Sequence, residues 1–132
     1  MLDERIETLR RSFEGTAQGD AARALRDFDD DFELRLPPEF PGGGKGRGHD
    51  HWVKIQAQFE EAFQDISYEP EEFLESGDQV LAAVRFRGHA RHTGIAVDMP
   101  VYWLYTFREA KIERVEAFLD HDQALEAAGL SE

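Results

Sequence analysis

Residues 80–119, VLAAVRFRGHARHTGIAVDMPVYWLYTFREAKIERVEAFL, decide the fold class. β-branched and aromatic residues recur through Val80 to Ala90, Ile95 to Phe107 and Ile112 to Leu119, broken only at His92-Thr93-Gly94 and Glu109-Ala110. Strand-like runs parted by such short breaks predict an antiparallel meander. Two shorter runs, Ile66 to Tyr68 and Phe73-Leu74, precede it across Gly77-Asp78.

Upstream the period changes. Ile6, Leu9, Phe13 and Ala17 recur at three and four, the stripe of an amphipathic helix with Asp3 as N-cap and Gly19 as stop. Asp20 caps a second short helix burying Ala21, Leu25 and Phe28, which the run Asp29-Asp30-Asp31 ends. Phe32, Leu34 and Leu36 then alternate with Glu33 and Arg35 as a first strand, closed by Pro37-Pro38. Glu39 to Gly48 holds Pro41 and five glycines and reads as a loop. His49 or Asp50 caps a third helix with Trp52, Ile55, Phe59 and Phe63 on one face, and a last helix from about Asp122 to Ala128 stops at Gly129. The order predicts one α+β domain over residues 1–132, with helices segregated to one face of a curved antiparallel sheet.

Composition narrows the function. With 41% hydrophobic residues, including 10 Phe, 2 Trp and 3 Tyr, the 132-residue chain has the material for one sizeable core. A net charge of −13 argues against nucleic acid and anionic membrane surfaces as partners. The absence of cysteine excludes disulfides and thiolate chemistry. No apolar run reaches the roughly 20 residues of a spanning helix, and the charged opening Asp3-Glu4-Arg5 lacks a signal peptide's apolar stretch, so the expected location is cytoplasmic.

Several segments taken together carry a resemblance: the helical opening through Gly19-Asp20, the loop Pro37-Pro38-Glu39-Phe40-Pro41-Gly42-Gly43-Gly44, and Arg47-Gly48-His49-Asp50. Asp98-Met99-Pro100 and the tail from Lys111 to Leu130 add to it. Nearly the whole chain resembles the SnoaL-like branch of the nuclear transport factor two-like superfamily, which includes ketosteroid isomerases and polyketide cyclases. The resemblance implies a cone-shaped, mostly antiparallel sheet with the N-terminal helices on its concave face, a cystatin-like roll, and a homodimer. Tyr102 and Leu104 on the presumed outer face are consistent with a dimer. The family usually carries Asp-Gly where this chain has Glu109-Ala110, so a turn geometry other than type I′ is expected there.

Against the isomerase pattern the catalytic base is missing, because Leu36 stands where the carboxylate precedes the proline. Trp103 falls near the oxyanion carboxylic acid, and Ser12 or Phe13 near the tyrosine donor. Lys111-Ile112 followed by Asp120 resembles the spacing at which SnoaL-type cyclases carry an acid/base aspartate. Asp120 is therefore the candidate catalytic residue, and proton transfer there would require burial beside Leu119 and Trp103. Its other reading is the N-cap of the last helix, with Gln123 three residues on.

With Leu34 and Leu36 pointing into the cone, the resemblance puts Val84, Phe86, Val101, Trp103, Tyr105, Val115 and Leu119 on the same surface, joined by Phe13 and Phe59. Such walls suit a small, flat hydrophobic ligand, or else simply fill the cone. Arg85, Arg87, His89 and Arg91 alternate onto the opposite face, to meet acidic side chains, a dimer partner or an anionic ligand. His49-Asp50-His51 and His89 with His92 lack a third ligand at diagnostic spacing, so neither metal nor cofactor is expected. The glycine run 42–48 lacks both the Walker spacing and GxGxxG, and reads as a rim over the cone mouth. Two functions stay open: acid/base isomerase, cyclase or hydrolase chemistry on a small apolar molecule, or a non-catalytic binding or dimerisation domain.

Overall fold

The computed structural model of the chain describes residues 3–130. In chain order the elements are α1 (Asp3–Ala17), α2 (Ala21–Ala24), β1 (Phe28–Leu36), β2 (Gly44–Arg47), α3 (His49–Ala62), β3 (Phe63–Ser76), β4 (Gln79–Ala90), β5 (Ala96–Arg108), β6 (Lys111–Phe118) and α4 (His121–Ala127). The strands form one curved, unclosed sheet in the order β2-β1-β6-β5-β4-β3. Every neighbouring pair is antiparallel except β1 and β6, which run parallel because β1 enters the sheet before the meander and lies against its last strand. The α+β class and the mostly antiparallel curved sheet follow the sequence reading.

Strand alternation sorts the side chains. Leu34 and Leu36 of β1, Val84 and Phe86 of β4, Val101 and Tyr105 of β5 and Val115 of β6 are buried with Leu9 of α1, Leu25 at the end of α2, and Ile55 and Phe59 of α3. The convex face carries a smaller cluster in which α4 covers Leu81 and Leu104 with Ala124 and Ala128. Leu104 is therefore taken up by the chain's own last helix, and Tyr102 lies beside His121 with ring centroids 5.4 Å apart.

Elsewhere on that face the basic stripe meets acids. Arg85 pairs with Glu71 and Asp98, Arg87 with Glu69 and Asp98, and His89 Nδ1 lies 3.4 Å from Asp65. Arg91 instead donates from Nε to the Glu60 carbonyl. On β1, the Arg35 guanidinium hydrogen-bonded to Glu33 at 2.6 Å holds that carboxyl below its ordinary range.

Several local expectations need correction. Phe28 opens β1 instead of closing α2, so the Asp29–Asp31 run lies within a strand, where the β1–β6 register shifts between Phe28 and Glu33. The glycine run contains β2, paired with β1 from Glu33↔Arg47 to Leu36↔Gly44. An edge strand needs little side-chain packing, and Gly46 lies so close beneath the His51 ring that a Cβ would overlap it. Neither His49 nor Asp50 caps α3. The cap position is Gly48 at φ 88°, without a side-chain hydrogen bond, a left-handed backbone that favours glycine. The two short runs before Gly77 are parts of the single strand β3, bulged between Gln64 and Ser67 and again between Pro70 and Glu72. Asp20 does cap α2, accepting from the Arg23 amide at 3.1 Å, whereas the expected cap at Asp3 lies outside the described side chains. At the last hairpin only Glu109 has positive φ, 57°, so the turn is not type I′, which needs two. No described helix is long and apolar enough to cross a membrane.

Candidate functional site

The cone is lined by aromatic rings at van der Waals distance, and they divide its interior in two. Phe59 of α3 is the hub: its centroid lies 5.7 Å from Phe40, 6.4 Å from Phe63 and 6.1 Å from Phe86. Phe40 in turn meets Trp103 at 6.2 Å, and Tyr68 meets Phe86 at 5.5 Å. Most of these pairs are edge-to-face, the arrangement in which one ring's positive edge meets the next ring's negative face. The loop after β1 thus does more than form a rim. It folds back so that Phe40 is buried in the aromatic wall.

Behind this wall an inner chamber of about 50 Å³ is bounded by α1, α3 and strands β1, β3, β5 and β6. Of the expected pocket residues, Phe13, Leu34, Leu36, Phe59, Trp103, Tyr105 and Val115 line it. In front of the wall an outer chamber of about 260 Å³ is lined by Phe59, Phe86, Val101, Trp103 and Leu119 from the expected set, closed over by Glu39, Phe40 and Pro41. Val84 lines neither chamber and is wholly buried in solid core. An apolar cavity of about 150 Å³ accepts benzene. By that measure the inner chamber is too small for an aromatic ring and the outer one has room for one or two.

Residues that sequence reasoning missed complete both chambers. Trp52, Gln56 and Tyr68 join the inner wall, and Phe63, Tyr68 and Met99 the outer. Trp52 and Phe63 were legible as members of the α3 apolar face. Tyr68 was legible only as strand, since its place depends on how the bulged β3 curls.

The chemistry of the walls is that of neutral donors. Burial pushes the Tyr105 hydroxyl well above the ordinary phenol range. It does the same to Tyr68, opposed in part by the neighbouring Gln56 side chain. The Trp103 indole N–H is buried without a partner in the protein. Ser12 spends its hydroxyl on the Ala24 carbonyl at 2.8 Å. Among the described residues Glu39, exposed at the outer mouth, is the one carboxylate lining either chamber.

Asp120 stands outside both chambers. Its carboxylate accepts from the Gln123 backbone N–H at 2.9 Å as N-cap of α4, and it lines an exposed groove with Arg35, Pro38, Glu116 and Phe118. The burial beside Trp103 that proton transfer would require is not present. The neighbouring His121 places its Nδ1 3.6 Å from Asp122. Among the described residues no cluster of three or more histidine and carboxylate side chains is placed to hold a metal. His49 is tucked against Phe32, 6.1 Å between ring centroids, while His51 covers Gly46.

Solved structures share this architecture. A nuclear transport factor two-like protein of unknown function from Burkholderia pseudomallei is 20% identical with a TM-score of 0.81, over 93% of this chain and 95% of that one. A second such protein, from Burkholderia xenovorans, is 27% identical with a TM-score of 0.77, over 96% and 95%. TerC, co-crystallised with polyporic acid, is 22% identical with a TM-score of 0.80, over 96% and 98%. No curated protein matches the chain. The SnoaL-like domain family matches residues 9–115. With that match spanning most of the sheet and all three N-terminal helices but the first turns of α1, the chain belongs to the SnoaL-like domain family.

Proposed function

We propose that this protein binds a small, flat, apolar molecule of one or two rings in the outer chamber. The observation that carries the reading is the chamber itself: about 260 Å³ walled by Phe59, Phe63, Tyr68, Phe86 and Trp103. Aromatic faces and edges favour a flat ring system over a branched chain. The unpartnered Trp103 N–H favours a ligand with a carbonyl or similar acceptor that a small tilt of the indole would reach. That TerC, of similar fold, was co-crystallised with polyporic acid supports a small-molecule-binding role. In this reading Asp120 serves α4, and the site binds without proton transfer, since Glu39, its only carboxylate among the described residues, sits at the exposed mouth.

Both tryptophans, Trp52 and Trp103, line the inner chamber, and Trp103 the outer one as well, so intrinsic fluorescence reads occupancy. Titration with 1-tetralone is expected to give a saturable change. Val101→Phe, which extends a ring into the outer chamber, should weaken that binding about tenfold or more. Absence of saturation in the wild type, or equal affinity in a folded Val101→Phe protein, would overturn the reading.

A further inference from the structure

Among the described residues Tyr68 is the one side chain that borders three spaces: the inner chamber, the outer chamber and a surface vestibule of about 430 Å³ lined by Thr16, Gln18, Gln56, Glu60, Gln64 and Arg91. We propose that Tyr68 determines ligand length, its ring closing the outer chamber against the vestibule and the inner cone so that molecules longer than two fused rings are excluded. The inference rests on the outer chamber being the binding site.

Three side chains separate the inner chamber from the outer, and they are not equally fixed. Phe59 is buried and held by Phe40, Phe63 and Phe86 on three sides. Trp103 stands on β5, hydrogen-bonded to β4 on one side and β6 on the other. Tyr68 stands on β3, the sheet's edge, between register shifts on both sides, so a shift of its backbone disturbs one ladder only. Its ring rests on Phe86, and Gln56 lines the vestibule with it. Replacing this ring by a methyl group joins the outer chamber to the vestibule, whose polar rim would carry the far end of a longer molecule.

The test compares 1-tetralone with 4-phenylbenzophenone, whose three rings lie roughly in line, by tryptophan fluorescence. Wild type is expected to favour tetralone. Tyr68→Ala removes one wall from the tetralone site and opens it to the vestibule, so the ratio of affinities should shift toward 4-phenylbenzophenone by about tenfold or more. Tyr68→Phe keeps the ring and should keep the wild-type preference. Tyr68→Leu, a milder truncation, should shift the preference in the same direction as alanine should the alanine variant not fold. Tetralone binding with an unchanged preference in both truncations overturns this inference alone. Binding of neither probe to any of the proteins overturns it together with the reading of the chamber.

Discussion

Asp120 accepts the Gln123 amide proton at 2.9 Å while its side chain stays in solvent, which gives a direct means of separating a cap from a proton-transfer group. Asparagine caps a helix about as well as aspartate, and alanine does not, at a cost of about 1 kcal/mol. Asp120→Asn is therefore expected to unfold in urea at nearly the wild-type midpoint, and Asp120→Ala at a lower one with unchanged slope. Neither substitution touches a chamber wall, so both should bind 1-tetralone as wild type does. A loss of binding in Asp120→Asn without a loss of stability would return this carboxylate to the site. The same residue shows how far sequence alone reached: the spacing to Gln123 was enough to suggest a cap, but whether the carboxylate also faced the cone depended on the direction in which the chain leaves β6.

At the scale of elements, the short helix α2 is held against α1 by backbone proximity. A Cβ on Gly15 would lie 2.5 Å from the Ala24 nitrogen and 2.9 Å from its Cα, and the Ser12 hydroxyl grips the Ala24 carbonyl one turn earlier. Alanine in a helix gains about 1 kcal/mol over glycine, but overpacking against a backbone that cannot swing aside costs about 1–3 kcal/mol. Gly15→Ala is thus expected to destabilise by up to about 2 kcal/mol, read as a lower urea midpoint, and stabilisation instead would show that α2 is free to move. Such approaches leave no trace in hydrophobic periodicity. What periodicity did carry was the meander, because alternation in β4, β5 and β6 is set by one buried face, and with it most of the pocket wall. It missed β2, whose four residues earn their place by pairing alone, and the unity of β3, where two bulges break the alternation. It also missed the division of the cone, which arises when the proline-rich loop after β1 carries Phe40 back onto Phe59 and Trp103.

For the molecule as a whole, the acid–base consequence of an aromatic cone falls at alkaline pH. Tyr68 and Tyr105 keep their protons in the fold well past the range where a free phenol loses its own, near pH 10. Above that pH the unfolded chain binds fewer protons than the native one, so stability falls as pH rises, by about 1.4 kcal/mol per unit for each such phenol. Below about pH 10 both states are protonated and the contribution is fully present. The background is favourable for seeing this, since the chain has three lysines and its remaining basic side chains of high pKa are arginines, which stay charged. Urea midpoints measured from pH 9 to 11 should fall steeply at the upper end, with phenolate absorbance from Tyr68 and Tyr105 appearing only as the protein unfolds. Tyr105→Phe removes one of the two groups and should about halve the slope, while the loss of a hydroxyl without a partner costs little otherwise. Phenolate absorbance from all three tyrosines in the still-folded protein would mean that the cone admits hydroxide and solvent, and would count against a closed apolar chamber.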